Sequence, residues 1–244
     1  MKIVIISDIH GNYDALSHLS EDYDQLWVLG DLVNYGPQPG EVIKYIRSHA
    51  THVTRGNHDH SVGYGEAPRC ASRLREMAET TQRYTNAVLS EEDKKYLRSL
   101  PLHVDVWIGK TRCRLCHAPP SVPPFMNHAF QSENWKDECQ RAGAEVLLVG
   151  GGHAPFGREI DSRLLANPGS LGQSRSGEPV ASYAVLKDGK LGFRSFHYPV
   201  NLTAEKVRAM PISAVVRSEL ITILRTGVVP SERRRSVTVG SLVR

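Results

Sequence analysis

The sequence lacks any long apolar run. A membrane-spanning helix needs about 20 consecutive apolar residues, and no stretch of this chain comes near that length. The apolar run at the N-terminus covers residues 3–6 only, which is too short for the core of a secretory signal. Cysteine is also scarce, with four among 244 residues. We therefore expect a cytoplasmic protein without membrane contact, in which the cysteines stay reduced.

The signatures of three other chemistries are absent as well. The glycines at 150–152 precede His153, whereas a phosphate-binding loop needs Lys and then Ser or Thr after its glycines. No Gly-x-Ser-x-Gly motif is present, so a serine hydrolase has no support. Cys113, Cys116 and His117 match a haem-attachment pattern, but haem attachment requires export. We interpret both cysteines as small buried strand residues, since structural zinc would need a second cysteine pair.

The composition is ordinary for a globular protein, with 40% hydrophobic and 23% charged residues. A chain of 244 residues predicts one large domain, or one domain with an insertion. We assign this domain to residues 1–226. Three arginines at 233–235 supply much of the net charge of +4, which indicates a solvated basic tail over 227–244. Nucleic-acid binding through this tail is the less favoured alternative, and it would weaken steeply with salt.

Near the N-terminus a short strand is followed by polar residues and a helix, three times over. Each apolar run is typical of a strand in a parallel sheet that is buried on both faces. In open sheets of this kind, ligands bind at the carboxyl ends of the strands. The predicted strands here are 2–7, 26–29 and 52–54, and the predicted helices are 13–22 and 41–49.

Later parts of the chain predict a second sheet, because strands dominate there. Helical character between residues 70 and 99 indicates a cap, in which Ser90 to Asp93 resembles a capping box. Residues 119–124 contain prolines that predict a loop. The other predicted strands are 103–108, 112–116, 145–149, 158–166, 180–187 and 191–198, and the other predicted helices are 132–142, 203–210 and 213–226.

Eight polar residues follow the predicted strands, in five separate segments. Taken singly, each has an ordinary explanation as a turn or surface residue, since Gly, Asn and Asp all favour turns. Together, their carboxylate, imidazole and amide groups suit Mn²⁺, Fe, Co²⁺, Ni²⁺ or Zn²⁺. A carboxylate can bridge two such ions, which then clamp a phosphate between them. The eight residues are Asp8, His10, Asp31, Asn57, His58, Asp59, His117 and His153.

In their types and order these motifs resemble those of the calcineurin-like metallophosphoesterases. Within that superfamily the sequence is similar to the small bacterial and archaeal phosphodiesterase-like branch, with shared segments at 7–12, 30–37, 55–59 and 167–170. The resemblance extends from Met1 to about Arg225. It implies an α/β (α+β) fold, a β-sandwich of two mixed sheets flanked by helices, with a small helical cap at about 70–99.

The resemblance also implies one or two divalent metal ions. The first ion would be held by Asp8, His10, Asp31 and His153. Asp31 would bridge to a second ion, whose further ligands would be Asn57 and His117. In the family, a hydroxide between the metals attacks phosphorus in line, because a bound cation lowers the pKa of water.

Three further residues receive roles from the same resemblance. His58 would act on the leaving-group oxygen as an acid or transition-state stabiliser. Asp59 would orient the ring of His58. Arg55 is a weaker candidate for contact with the substrate phosphate, and an exposed salt bridge is the alternative for this residue.

The chain departs from the family at its last metal motif, which is Gly-His-x-His in the family. Aligned without a gap on Pro155 and Phe156, His153 takes the second His position, and Gly151 replaces the first, a ligand of the second metal. The alternative alignment places His153 first, with a deletion after it. In the ungapped alignment, the second site would need water, a substrate oxygen, or a histidine from elsewhere: His60, His103 or His128.

We therefore expect metal-dependent hydrolysis of a phosphodiester or phosphomonoester, acting as a phosphodiesterase or a phosphatase. The substrate would be a small molecule or a nucleotide, and the second metal site would be weakened. The rival hypothesis is a binding or scaffold module on the same fold, catalytically weak or inactive, for which the metallophosphoesterase-like subunit of retromer is a precedent. The retained histidines argue against complete loss of catalysis. The substrate, native metal and oligomeric state stay open.

Overall fold

The computed structural model describes residues 1–121 and 135–230. The strands within these ranges are β1 (Lys2–Ile6), β2 (Gln25–Val28), β3 (His52–Val53), β4 (His103–Ile108), β5 (Thr111–Cys116), β6 (Val146–Val149), β7 (Phe156–Ile160), β8 (Arg163–Asn167), β9 (Ala181–Lys187) and β10 (Lys190–Phe196). The helices are α1 (Tyr13–Ser17), α2 (Pro39–His49), α3 (Asn57–Tyr64), α4 (Arg75–Val88), α5 (Glu91–Ser99), α6 (Trp135–Ala142), α7 (Val200–Ala209) and α8 (Ala214–Thr226). A 3₁₀ turn at Ser72–Leu74 leads into α4.

The strands form two five-stranded sheets. The first sheet has the order β10-β9-β1-β2-β3, in which β1, β2 and β3 run parallel and β9 runs antiparallel to β1 and β10. The second has the order β4-β5-β6-β8-β7, with parallel pairs in the centre and an antiparallel strand at each edge. Both sheets are mixed, so the predicted sandwich of two mixed sheets is confirmed.

The alternation of side chains along β1 shows how the layers pack. Successive residues of a strand face opposite sides of the sheet. Ile3 and Ile5 point into the core between the two sheets, whereas Val4 and Ile6 pack in the cluster that includes the apolar face of α2. Trp27 of β2 is fully buried in the inter-sheet core. Burial on both faces explains why residues 3–6 of β1 are all apolar.

A separate apolar cluster joins α4, α7 and α8. Its members include Met77, Val207 and Leu220, together with Tyr35 from the loop after β2. Helix α5 packs instead against α3. Its predicted capping box forms, because Ser90 Oγ accepts a hydrogen bond from the backbone N–H of Asp93 at 3.1 Å. The cap predicted at 70–99 thus consists of α4 and α5, and the C-terminal helices pack on α4.

Two predicted elements differ from the structure. Helix α1 ends at Ser17 instead of residue 22, because the side chains of Ser17 and His18 both bond to the carbonyl of Asp14 and compete with the helix ladder. The strand predicted at 158–166 is a hairpin of β7 and β8. Asp161 and Ser162 adopt left-handed φ angles of 48° and 61° there, as a two-residue hairpin turn requires.

Some predictions fall outside the described residues. These are the end of the loop 119–124, the start of the helix 132–142, His128, and the basic tail from residue 231. Among the helices that are described, none combines the length and apolar character needed to cross a membrane.

Candidate functional site

The carboxyl ends of five strands bring the predicted metal-binding residues and His58 together. Their side chains are buried, at 3% exposure or less, except for half-buried Asn57. Backbone hydrogen bonds join neighbouring loops, as where the N–H of His10 donates to the carbonyl of Asp31 at 3.0 Å. The residues are Asp8 and His10 after β1, Asp31 after β2, Asn57 and His58 after β3, His117 after β5 and His153 after β6.

Left-handed backbone is concentrated around this site. For a residue with a side chain this conformation costs roughly 1–2 kcal/mol. Three non-glycine residues with left-handed backbone lie away from the site, in hairpin turns: Asp161, Ser162 and Asp188. Backbone strain gathered at one place is typical of functional sites. The strained residues here are Asp8, His10, Asp31, Asn34, Tyr35 and His153, with φ between 49° and 67°.

Two glycines allow the loops to approach each other closely. A Cβ atom at Gly56 would lie 2.1 Å from Oδ1 of Asp31. A Cβ atom at Gly150 would lie 2.3 Å from Ser7 Oγ and 2.7 Å from His117 Nδ1. Both positions therefore require glycine for steric reasons.

Asp8, His10 and His153 form a first group of possible metal ligands. Nε2 of His153 lies 3.2 Å from Oδ1 of Asp8, and Nε2 of His10 lies 3.8 Å from the same oxygen. The two Nε2 atoms are 3.3 Å apart. Oδ1 of Asp8 is buried without a hydrogen-bond partner among the described residues. This geometry suits an ion at the centre of the group.

Asp31 connects the first group to a second. Its Oδ2 lies 3.7 Å from Nε2 of His10 and 3.3 Å from Nε2 of His117. Oδ1 of Asn57 lies 3.2 Å from the same nitrogen of His117. Oδ1 of Asp31 accepts a hydrogen bond from the backbone N–H of His58 at 2.9 Å. Asp31 therefore lies where a ligand shared between two ions would have to lie.

Three of the histidines are held in one tautomer. Nδ1 of His10, His117 and His153 lies 3.1, 2.7 and 2.7 Å, respectively, from a backbone carbonyl oxygen. A carbonyl can only accept, so Nδ1–H donates, and each neutral ring presents the lone pair of Nε2 to the site. The lone pairs of His10 and His153 then face each other and repel, unless a proton or a cation lies between them. The donor set therefore fits a metal ion.

Burial and mutual charge shift the pKa values of these groups in opposite directions. Burial raises the pKa of Asp8 to about 6 and lowers the pKa values of His10 and His153 well below the ordinary value. Burial alone would also lower the pKa of His117, but the Asp31 carboxylate raises it to about 10. The pKa of Asp31 itself falls, because His117 and His58 outweigh the effect of burial. Positive charge beside the Asp31 carboxylate is thus favoured, whether a proton on His117 or a metal ion carries it.

The ring of His58 is held by Asn34. Nδ2 of Asn34 lies 2.8 Å from Nδ1 of His58, and in this amide orientation Nδ2 donates. Burial lowers the pKa of His58 to about 4, so the ring is neutral at pH 7, with its proton on Nε2. A ring nitrogen of His58 lies within 4.8 Å of ligand atoms of His10 and Asp31. Asn34 is not among the residues predicted from the sequence, because it belongs to no metal-binding motif. The one local feature that could have pointed to it is that Asn tolerates left-handed backbone.

The carboxylate of Asp59 is bonded to backbone amides, whereas it is predicted to orient the ring of His58. Its carboxylate accepts three backbone hydrogen bonds, at 2.8 Å from Asp31, 2.9 Å from Gly56 and 2.8 Å from Leu32. These bonds fasten the turn that carries Asp31 to the start of α3. The hydrogen bond that orients the His58 ring comes from Asn34 instead. Three adjacent polar residues, 57–59, thus point in different directions, because a helix begins at Asn57.

Arg55, the weaker candidate for contact with the substrate phosphate, is bonded to neighbouring helices. Its NH1 donates to the carbonyl of Arg98 at 2.7 Å and to Tyr64 Oη at 3.1 Å. With 9% exposure it is also not the exposed salt-bridge residue of the alternative. These contacts join α3 to the end of α5. Another arginine, Arg175, lies near the site. Burial is the main cause that lowers the pKa of His58, and the charge of Arg175 is a further one.

Gly151 contributes its backbone to the site. Its N–H donates to Oδ2 of Asp8 at 2.9 Å, and its φ is 73°. Two histidines that could replace a missing imidazole point elsewhere. His60 pairs with Glu66 at 3.6 Å, and His103 begins the exposed edge of β4. Asp8 is a further donor near the second group, since its ligand atom lies within 4.8 Å of those of Asp31 and His117.

Comparison with known proteins agrees with this geometry. The family model for the calcineurin-like phosphoesterase superfamily domain matches residues 1–189. An uncharacterised protein of Methanocaldococcus jannaschii is 30% identical over 227 residues, which cover 84% of this chain and 91% of that protein. A crystal structure of a metallophosphoesterase from Sphaerobacter thermophilus superposes with a TM-score of 0.73 at 26% identity, covering 93% of this chain and 100% of that chain.

A relative with a named activity matches over a shorter stretch. The symmetrical bis(5'-nucleosyl)-tetraphosphatase of Nitrosococcus oceani is 33% identical over 159 residues. The match covers 56% of this chain and 54% of that protein. This chain therefore corresponds to about half the length of the tetraphosphatase.

The contacts of Asp59 predict the outcome of Asp59→Asn. An amide nitrogen would face backbone N–H groups, so we expect a loss of stability of about 2 kcal/mol or more and weaker metal binding, because the turn of Asp31 moves. Urea unfolding and calorimetric titration with Mn²⁺ measure the two effects. Asp93→Asn, the same change in an exposed capping box, serves as the control and should leave metal binding unchanged. If Asp59→Asn kept its stability and metal and lost only turnover, Asp59 would act through His58 after all.

Proposed function

Because the chain belongs to the calcineurin-like phosphoesterase superfamily, we propose that it hydrolyses a phosphoester bond with divalent metal ions held at this site. One observation carries the proposal. The Nε2 atoms of His10 and His153 face each other at 3.3 Å, while Nδ1–H of each ring is engaged by a backbone carbonyl. Oδ1 of Asp8 beside them also has no hydrogen-bond partner among the residues that the structure describes. A cation that binds between these atoms would remove the repulsion between the two lone pairs.

We propose the ligands from the donors that lie together at the site. The first ion would be held by Asp8, His10 and His153, with Asp31 shared, and the second by Asp31, Asn57 and His117. Nitrogen and oxygen donors in this mixture suit Mn²⁺, Fe, Co²⁺, Ni²⁺ or Zn²⁺. When bound, such ions lower the pKa of water and offset negative charge on phosphoryl oxygens.

His58 is the residue that would serve the leaving group. Its ring is buried and neutral, with Nδ1 bonded to Asn34 and a proton on Nε2. A proton donor that holds this position can hydrogen-bond to the departing oxygen as negative charge develops there. Asn34 is then a positioning residue, because it sets the tautomer of His58 and prevents its ring from turning.

The substrate class that fits best is a nucleotide or another small phosphoester. The tetraphosphatase relative supports a nucleotide, although it corresponds to this chain over about half its length. The half-buried Asn57 is the most accessible of the residues that would bind metal. Whether a monoester or a diester reacts faster is decided by a substrate panel.

We expect hydrolysis of activated phosphodiesters or monoesters that is lost on chelation and restored by a divalent metal. The physical reason is that six of the residues at the site are metal-type donors whose lone pairs point inward. Release of a chromogenic leaving group, with Mn²⁺, Ni²⁺, Co²⁺ or Zn²⁺ added back after chelation, measures the effect. If the protein bound metal and turned over no member of a broad panel, the binding-module hypothesis would replace the enzyme.

The variant His58→Ala should keep its metal and lose rate. His58 faces the site without being one of the proposed ligands, so metal content by elemental analysis should match that of the unmodified protein. The rate should fall by about 10²–10⁴-fold, as for loss of a positioned acid or base. Asn34→Ala should show a smaller fall with unchanged metal content. Loss of metal from His58→Ala would show that this residue is a ligand.

Gly151 weakens the second site in this proposal. The first ion has three dedicated ligands and a share of Asp31, whereas the second has Asn57 and His117 and the same share. We therefore expect one tightly held ion, and a second that binds at high metal concentration or together with a bridging phosphate-like anion. Calorimetric titration with Mn²⁺ measures both sites. Two equally tight ions in the unmodified protein would contradict the proposal.

The variant Gly151→His tests the missing imidazole directly. Because φ at this position is 73°, any side chain costs roughly 1–2 kcal/mol of strain, and Gly151→Ala is the control that carries the strain alone. We expect the second ion to bind tighter in Gly151→His than in Gly151→Ala, with higher activity at limiting metal. Equal binding in the two variants would mean that the imidazole does not reach the second site.

A further inference from the structure

Arg175 lies in a loop that is fastened to both sides of the first ligand group. Ser170 Oγ donates to the carbonyl of Asp8 at 2.7 Å. The carbonyl of Gln173 accepts from Nδ1 of His153 at 2.7 Å, and the N–H of Arg175 donates to the carbonyl of His153 at 3.4 Å. The segment that sets the tautomer of His153 through the carbonyl of Gln173 is therefore the segment that carries Arg175.

The loop has little freedom to move away. A Cβ atom at Gly172 would lie 1.7 Å from the carbonyl oxygen of Ile9, so the two backbones are in close contact. Asn12 Nδ2 also donates to the carbonyl of Gly172 at 2.8 Å. Arg175 is thus held by a backbone that packs directly on the turn of Asp8 and His10.

Among the described residues, the polar neighbours of the Arg175 guanidinium group are Gln173 and Tyr35, and neither is an anion. NH2 donates to Oε1 of Gln173 at 2.8 Å. Nε is buried and has no hydrogen-bond partner within residues 1–121 and 135–230. None of the ion pairs between described residues includes Arg175. A half-buried cation without an anionic partner is unfavourable, and an anionic ligand would relieve it.

The group lies beside the histidines of the site. Its Cζ is 6.0 Å from the ring centroid of Tyr35, and that ring contacts His10 at 4.7 Å and His58 at 4.8 Å. Burial is the main cause that lowers the pKa values of His10 and His153, and the charge of Arg175 is a further cause for both. Metal ions bound to these residues would add repulsion, so the guanidinium is best satisfied when an anion lies between it and the metals.

We infer that Arg175 is the substrate-binding cation of this site and takes a non-bridging oxygen of the substrate phosphoryl group. The inference rests on the proposed hydrolysis of a phosphoester. A guanidinium is planar and offers parallel N–H donors, a geometry that matches two oxygens of one phosphate. We give this role to Arg175 and not to Arg55, because NH1 of Arg55 is bonded to the carbonyl of Arg98 in α5 and to Tyr64 Oη.

Calorimetric binding of inorganic phosphate to the Mn²⁺-loaded protein tests the inference. In Arg175→Gln, phosphate should bind about 10–100-fold more weakly, as for loss of a hydrogen bond between charged groups. Arg175→Lys should fall between the two, because lysine keeps the charge and loses the planar donors. The matched control is Arg158→Gln, which removes an exposed arginine of β7 and should bind phosphate like the unmodified protein. Mn²⁺ content should be unchanged in all variants.

Turnover of an activated ester supplies a second measurement. Arg175→Gln should raise KM. Guanidinium ions at low concentration should partly restore the lost affinity, because they can occupy the place of the missing group. If the variant were merely misfolded, guanidinium ions would not restore it. If Arg175→Gln folds poorly, Arg175→Lys carries the comparison.

The outcomes separate this inference from the proposed function. Unchanged phosphate affinity in Arg175→Gln, in a protein that still hydrolyses esters, overturns the inference alone. Loss of Mn²⁺ from Arg175→Gln also overturns it, because the residue would then support the metal ligands. If the unmodified protein neither hydrolyses any ester nor binds phosphate, the proposed function fails, and the inference fails with it.

Discussion

The buried carboxylate of Asp31 is the group on which the rest of the site depends. One oxygen faces the Nε2 atoms of His10 and His117, and the other accepts the backbone N–H of His58. This placement needs a left-handed residue at position 31 and a glycine at 56, where a Cβ atom would come within 2.1 Å of the carboxylate. It also needs the carboxylate of Asp59, which accepts a hydrogen bond from the backbone N–H of Asp31. The position of a single carboxylate thus explains one strained turn, one obligatory glycine and one buried acid.

The same dependence explains why the strain is tolerated. Each left-handed residue with a side chain is unfavourable by roughly 1–2 kcal/mol, yet the loops after β1 and β2 place several of them together. Hydrogen bonds between the two loops oppose this cost, since the N–H groups of His10 and Gly11 donate to carbonyls of Asp31 and Leu32. The bends turn side chains toward one point above the sheet edge, which regular strand geometry would not do. The conformation is explained by the convergence of these side chains and not by local propensity.

The sequence predicted a second sheet packed on the first, and the neighbourhood of the site, because both follow from local patterns; the sandwich of two mixed sheets was implied by the family resemblance. Apolar runs such as 3–6 predict buried strands, and polar residues directly after such runs must lie at one edge of a parallel sheet. Orientation within the site could not be predicted in this way. Asn34 and His58 are 24 residues apart, and nothing in either segment announces their hydrogen bond. Asp59 is adjacent to His58 in sequence, which suggests that it orients the ring of His58. The start of α3 instead turns the carboxylate of Asp59 toward backbone amides. Arg55 and Arg175 could be told apart only by their partners.

Tyr35 links this site to the C-terminal helices, which the family match over residues 1–189 does not cover. One side of its ring contacts the imidazoles of His10 and His58. The ring also belongs to the apolar cluster that contains Val207 of α7 and Leu220 of α8. If the fold ended at residue 189, this ring and the apolar face of α4 would be exposed to water, at a cost of about 25 cal/mol for each Å² of apolar surface. The packing therefore favours a structural unit that extends through α8, because these helices fix the aromatic ring against which two histidines of the site are set.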